Sequence, residues 1–339
     1  MKRLIQPRFL FSILLSALLG LSIQACRANA FALEDKISTT KALAHYTMGQ
    51  GLDLLGDVQE ATFEYEAAAR FDNASYITHL RLGVNYARLN LLDQAKKELF
   101  LVQEQNPEDL QCHYLLALIY STEKNYSKAA EEYEFILKKF VDANPNSVEV
   151  YGYLGQLYYS QKKYDQAIAQ FEKIFVLEPK NADVMYLLGS LYLEVNQTDQ
   201  AITILQKSLE IDPEHDGSLN TLGYVYAEND IHLDDAQSLV ERALKIHPKN
   251  GAYLDSLGWV YYKQGKYQEA LTVFKEADQY LKDAVIYDHM GDAYYKLNLY
   301  DDALKSWELS LSLLPDQESV VSKINSLKNL QANKQVFRN

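Results

Sequence analysis

Apolar residues recur along this chain at helical spacing, in pairs of short amphipathic segments separated by polar turns. The clearest pair runs from Ser147 to Asn181. Its first segment places Tyr151, Leu154, Gly155 and Tyr158 on one face, and its second places Ala167, Phe171 and Ile174 on another. The pattern predicts two helices. Pro179 ends the second, because proline has no N–H and its ring clashes with the preceding turn. The two small residues, Gly155 and Ala167, are expected to face each other and let the helices approach closely. Neither helix can bury its apolar face alone, so the pair is expected to stack on others like it.

Those others are present. Aligning on the small residue of the first helix gives Gly49, Gly83, Ala117, Gly155, Gly189, Gly223, Gly258 and Gly291, in steps of 34, 34, 38, 34, 34, 35 and 33. Three residues beyond each anchor stands a large side chain: Leu52, Tyr86, Tyr120, Tyr158, Tyr192, Tyr226, Tyr261 and Tyr294. The second helix carries an alanine (Ala61, Ala95, Ala129, Ala167, Ala201, Ala236, Ala270, Ala303), followed four residues on by a large apolar residue. Eight helix pairs are therefore expected over residues 42–315, after a linker at 31–41. A capping helix follows over 316–330, with Val320, Val321, Ile324, Leu327 and Leu330 at helical spacing, and then a polar tail at 331–339.

The irregularities carry their own expectations. The first unit has Asn73 where later units have proline, and Leu52 in place of an aromatic residue. Four extra residues in the third unit, around Phe140 to Asn144, amount to about one helical turn. They predict a longer second helix that bends or offsets the stack there. The sixth unit has one more residue in its turn, Asn229 to Asp234, and that loop should protrude. The seventh lacks its proline and is one residue short.

Composition agrees with stacked helices: 26 tyrosines, 14 glycines and 7 prolines in 339 residues. The first 30 residues read differently. Lys2, Arg3 and Arg8 precede an apolar run from Phe9 to Ile23, the form of a secretory signal peptide. Three readings stay open. Ile23-Gln24-Ala25-Cys26 resembles a bacterial lipobox with Cys26 as the lipidated residue. Ala28-Asn29-Ala30 or Ala30-Phe31-Ala32 suits an ordinary signal peptidase. The run can also be an uncleaved anchor. All three put the rest of the chain outside the cytoplasm, in the periplasm of a bacterium, with lipidation tying it to the outer membrane. Taking Lys2, Arg3, Arg8 and Arg27 from the 33 basic residues leaves 29 against 46 acidic ones, a net −17. Nucleic acid and anionic lipid surfaces both need a basic face, so neither is an expected partner.

The sequence holds no catalytic constellation. His45, His79, His113, His215, His232, His247 and His289 are spread along the array without metal-ligand spacing. The glycines are repeat anchors and form no phosphate-binding loop. Cys112 reads as a small core residue, and with Cys26 outside the array no internal disulfide is expected. Acidic pairs such as Asp234-Asp235 and Asp301-Asp302 sit at the start of second helices, where they favour the positive end of the helix dipole. No enzyme activity, cofactor or metal is expected.

On these residues the chain resembles the tetratricopeptide repeats (TPR), whose 34-residue pattern has the same order of L-G, Tyr, Ala, Phe/Tyr and Pro. The resemblance covers about residues 42 to 315. It implies an all-α fold, a right-handed α-solenoid of about eight helix-turn-helix units, whose concave groove is lined by first helices and holds a peptide or a partner's helix. Carried over position by position, the groove would present Tyr46, Gln50, Asp53, Leu80, Arg81, Val84 and Arg88 in the first two units. Beyond them come Tyr114, Tyr153, Tyr159, Tyr186, Tyr224, Trp259, Tyr262 and Tyr295, with the carboxylates Asp255, Asp288 and Asp292 among those of the C-terminal half. Tyrosine and tryptophan make good interface anchors, and the carboxylates would pair with Lys or Arg of a partner. Some family members grip a chaperone's C-terminal carboxylate. Here the matching positions hold Tyr46, Gln50, Arg81, Gln111 and Leu115, and only Arg81 fits, so that role is rejected. The expected function is a non-enzymatic protein–protein interaction scaffold of the bacterial cell envelope, assisting assembly of an envelope complex. The alternative is a binder of an envelope glycan or cell-wall polymer through the aromatic groove.

Overall fold

The structure is a computed structural model and describes residues 34–336. The signal segment, its cleavage sites and Cys26 lie outside the described residues. Every described element is helical. The helices fall into two compact units that divide between Ala143 and Asn144.

The first unit holds α1 (34–55), α2 (Val58–Phe71), α3 (Tyr76–Arg88), α4 (Leu92–Gln105), α5 (Leu110–Thr122) and α6 (Tyr126–Ala143). The second holds α7 (Val148–Ser160), α8 (Tyr164–Leu177), α9 (Ala182–Glu194), α10 (Thr198–Ile211), α11 (Asp216–Glu228) and α12 (Leu233–Ile246). It continues with α13 (Gly251–Lys263), α14 (Tyr267–Tyr280), α15 (Ala284–Lys296), α16 (Tyr300–Leu313) and α17 (Glu318–Val336). Odd-numbered helices up to α15 are first helices of a pair, and even-numbered ones are second helices.

The two ends of a first helix are built differently. Most start on a capping side chain: Ser75, Asp109, Ser147, Asn181, Asn250 and Asp283 each accept from a backbone N–H of the first turn. All eight end in a left-handed residue followed by an N–H that returns to the carbonyl five residues back. That carbonyl always belongs to the large residue three past the anchor, as in Leu91 N to Tyr86 O at 2.8 Å and Lys266 N to Tyr261 O at 2.9 Å. Gly56 and Gly265 take the left-handed position at φ +86° and +77°, where glycine has no Cβ to clash. Asn90, Lys124, Lys162, Asn196, Asp230 and Asn298 take it in the other pairs. The longer turn of the sixth pair has a second left-handed residue, His232, just before α12.

Within each pair the packing adds to one sequence expectation. The alanine's backbone does come near the anchor, with Ala95 O 3.6 Å and Ala236 O 2.9 Å from a Cβ built on Gly83 and Gly223, but the large residue of the second helix comes nearer still. A Cβ on Gly155 would lie 2.8 Å from the Phe171 ring, and on Gly258 2.5 Å from Phe274. The anchor is small because the large residue of the second helix fills its place. The alanine is small because it too is fully buried against the first helix (Ala95, Ala167, Ala201 and Ala270 among them). Within each unit α2, α4, α8, α10, α12 and α14 pack against the first helix that follows them, and first helices also touch along the row (α3 with α5, α9 with α11, α11 with α13, α13 with α15). First helices therefore line the inner side of each stack.

The four extra residues lengthen α6 to 18 residues, against 14 in α4 and α8. Residues 34–41, expected as a linker, are instead the first turns of α1, and Ser38 Oγ donates to Phe71 O at 2.7 Å. The capping helix starts at Glu318 and runs on to Val336, through most of the expected tail. Its Val320, Ile324 and Leu327 close over Ala303 and Trp307 of α16, covering the face that a further repeat would have used. No described helix is long and apolar enough to cross a membrane.

Candidate partner-binding face

The inner face of the stacks is made by the residues of the first helices that neither flanking second helix covers. The sequence-derived site residues divide there into three groups. Tyr114 in the first unit and Tyr153, Tyr159 and Tyr295 in the second are exposed, Tyr153 by 62%. Tyr186, Tyr224, Tyr262, Asp288 and Asp292 are half-buried. Asp255 and Trp259 are buried, each with 8% of its surface exposed, and so differ from the expectation of open groove contacts.

Trp259 is buried because its neighbours sandwich it. The Tyr262 ring stacks on one side with centroids 4.8 Å apart and the His289 ring on the other at 4.1 Å. Its indole N–H donates to Glu228 Oε2 at 2.7 Å, and the Lys263 ammonium sits 5.3 Å from its ring. Asp255 is buried because His289 Nδ1 lies 3.0 and 3.1 Å from its two oxygens. The hydroxyl of Tyr224 titrates high, at about 12, first because it is buried and then because Glu228 and Asp255 lie near it. Burial, with Asp292 and Asp288 beside it, also raises Tyr262.

The carboxylates expected to await a basic partner are already engaged. Lys323 of α17 reaches back to α15 and donates to Asp288 Oδ1 at 2.7 Å and Asp292 Oδ2 at 2.8 Å. Trp307 Nε1 donates to Asp292 Oδ1 at 3.1 Å. One ammonium shared by two carboxylates leaves one negative charge over. Burial accordingly raises the pKa of Asp292 against the pull of Lys323. Burial works against the Lys323 charge, yet the two acids together hold it above its ordinary pKa. Asp183 has His215 Nε2 at 3.1 Å. Asp255, Asp288 and Asp292 are thus engaged by side chains of the protein itself, while Asp183 stays largely exposed.

One concavity of the first unit has a lining of the opposite charge, Arg81 and Arg88 against Asp53. Gln50, Asp53, Arg81, Val84 and Arg88, all carried over as groove positions, line this concavity of about 350 Å³ together with Leu54 and Tyr65. Asp53 is saturated. Its Oδ1 accepts from Asn85 Nδ2 at 3.0 Å and Arg88 at 3.1 Å, and its Oδ2 accepts from the Tyr65 hydroxyl at 2.9 Å. Arg81 forms no ion pair among the described residues; its partner is the Tyr46 phenol, which holds it firmly charged.

One feature was missed in the sequence. His45, His79 and His113 each stand four residues before an anchor, and each meets a glutamate three residues after the alanine of the second helix. The pairs are His45–Glu64 and His79–Glu98, both at 2.6 Å, and His113–Glu132. His79 and His113 also turn Nε2 to a backbone carbonyl, Asn73 O and Pro107 O. The hydrogen bond to Glu98 raises the pKa of His79, against the opposing effect of burial. Counting each histidine from its anchor, rather than looking for metal-ligand spacing, shows the 34-residue recurrence.

Among the described residues no group of three or more His, Cys, Asp or Glu is placed to hold a metal. Cys112 is fully buried, its thiol donates to Leu99 O, and burial pushes its pKa up to about 12, far from a nucleophile.

The family comparisons agree with this architecture. Residues 114–176 and 159–223 each match a profile described as tetratricopeptide repeat. Residues 229–308 match the profile for anaphase-promoting complex, cyclosome, subunit 3. No curated protein matches the chain. Among solved structures, a tetratricopeptide repeat protein from Parabacteroides merdae aligns over 75% of this chain and 99% of its own, at 13% identity and a TM-score of 0.56. The Cut9–Hcn1 hetero-tetramer of the APC/C aligns over 87% of this chain and 58% of its own, at 16% identity and a TM-score of 0.54. At these identities the likeness is one of fold. Proteins with this fold are in general scaffolds for protein–protein interaction and typically non-catalytic.

Proposed function

Because the chain is a tetratricopeptide-repeat protein, we propose that it is an exported scaffold of the bacterial cell envelope that holds a segment of another envelope protein against its first-helix face. Export rests on the basic, apolar and small-residue pattern of the first 30 residues. Lipidation at Cys26 would tie the array to the outer membrane, where it would assist assembly of an envelope complex.

One observation carries the binding reading. Tyr153, Tyr159, Tyr114 and Tyr295 are large aromatic residues left exposed on the inner face. Tyr159 touches Tyr164, and Tyr295 touches Tyr300 and Trp307, yet all four side chains keep much of their surface open. A tyrosine offers a wide contact area, a hydroxyl and few rotamers to lose, which suits it to anchor a bound segment. Asp255, Trp259, Asp288 and Asp292 serve as the rigid backing of that face.

The test is capture from envelope extract with the full chain and with a Tyr153→Ala, Tyr159→Ala variant. A defined set of polypeptides retained by the first and lost by the second supports the reading. Binding to purified cell wall with no polypeptide retained would overturn it in favour of a glycan ligand. Mass spectrometry of the mature N-terminus tests the anchor. It would find either an acylated Cys26 or a free terminus near Phe31 or Leu33.

A further inference from the structure

We infer that the concavity of the first unit receives the carboxylate of an acidic side chain in a partner polypeptide, with Arg81 as its counter-ion. The inference rests on the scaffold reading above and reverses the charge that the sequence suggested for the partner.

Three features converge. Arg81 is half-buried and has no carboxylate paired with it, in a chain whose array is strongly acidic. The guanidinium is a planar fork that matches a carboxylate with two parallel hydrogen bonds. Asp53, the one carboxylate in the lining, already accepts from Tyr65, Asn85 and Arg88, so it attracts a further cation less than a free carboxylate would. The lining charges, Arg81 and Arg88 against Asp53, leave the concavity one unit positive.

Shape adds the rest. Beside Arg81 the wall is Val84 and Leu54, and Leu54 is 90% exposed with nothing over it. The fitting segment therefore has an aliphatic side chain next to its Asp or Glu. An internal residue suits the site better than a chain terminus. The positions that would surround a terminus hold Tyr46, Gln111 and Leu115, which bring no second cation.

The probe is a short peptide blocked at both ends, acetyl-GSLELSG-amide, titrated into the full chain labelled with ¹⁵N-arginine. The readout is the Arg81 Nε–Hε resonance, assigned by its loss in Arg81→Gln. We expect that resonance to shift and saturate, with an affinity about tenfold above that of the matched Gln peptide, the loss of one charge-assisted pair. Arg81→Gln should abolish the difference between the two peptides. Arg81→Lys should keep part of it, because charge remains and the fork does not. Acetyl-GSLQLSG with a free C-terminus should bind no better than its amide. No shift at saturating millimolar peptide, equal affinity for Glu and Gln peptides, or preference for the free terminus each overturns the proposal. The two readings fail separately. Extract partners lost on Tyr153→Ala, Tyr159→Ala but retained on Arg81→Gln leave the scaffold standing and this site disproved. A saturable Glu-peptide site with no polypeptide partner does the reverse.

Discussion

The same structural position is filled in opposite ways in the two units. In the first, the residue four before each anchor is His45, His79 or His113, with a glutamate opposite. In the second it is Tyr151, Met185, Leu219, Leu254 or Tyr287, and all five are buried. The facing position on the second helix changes in step: Glu64, Glu98 and Glu132 give way to Gln170, Ile204, Leu239, Val273 and Ser306. Tyr151 keeps one fragment of the older arrangement, donating to Pro145 O as His113 faces Pro107 O. The helix-pair joint thus tolerates either a charged hydrogen-bonded pair or apolar packing. The charged form costs desolvation and is safe only while both members are present.

That difference predicts where each unit breaks. Glu98→Ala should be the most damaging change, leaving the buried His79 cation without its acceptor; we expect the first unit to lose about 3 kcal/mol. Hydrogen exchange resolved by helix would show the loss in α3 and α4 and not in the second unit. In the second unit the sensitive point is steric. Gly258→Ala drives a methyl group into Phe274, and overpacking of this kind should cost about 1–3 kcal/mol, read as lost protection in α13 and α14. Lys323→Met should cost about 1–2 kcal/mol by uncoupling Asp288 and Asp292 from α17, with faster exchange confined to α17. Importing the solution of the second unit into the first, by His79→Leu with Glu98→Leu, should leave stability within about 1 kcal/mol of the parent.

The double replacement also separates the units by pH. The hydrogen bond to Glu98 raises the pKa of His79 above its ordinary 6.5 in the folded state, against the opposing effect of burial. A group whose folded pKa is raised contributes its full stabilisation below the unfolded pKa and loses it as pH rises through the folded one. Protection factors in α3 and α4, corrected for intrinsic exchange, should therefore fall as pH is raised from 6.5 through that higher value. The double variant should remove this dependence, and the apolar joints of the second unit offer no such histidine–glutamate pair to lose.

Most of the fold was legible because stacking imposes a local rule on every copy. A 34-residue period with a small anchor, a large residue three later and an alanine across the turn admits few structures, and the four-residue surplus before Asn144 was readable as a longer α6. What the pattern left out was a further neighbour. Gly155 is small like Ala167, but the closest approach to it is made by the large residue four beyond the alanine. Only coordinates show that Phe171 occupies the space at Gly155.

The site was legible in part. The resemblance to tetratricopeptide repeats implied that Tyr114, Tyr153, Tyr159 and Tyr295 face the groove, and they are exposed. It placed Trp259 and Asp255 on that face as well, without any means of knowing that His289, one unit later, would cover both. It counted Asp288 and Asp292 as free charges because Lys323 belongs to a helix outside the repeat pattern. The sequence by itself determined the repeat unit, its number and its anchors, since each depends on contacts within a pair or between adjacent pairs. Tertiary structure alone decided which groove charges are spent and which are left, because a carboxylate's availability depends on side chains 31 to 35 residues away. Those are set by stacking geometry, and the repeat that builds the stack does not constrain them.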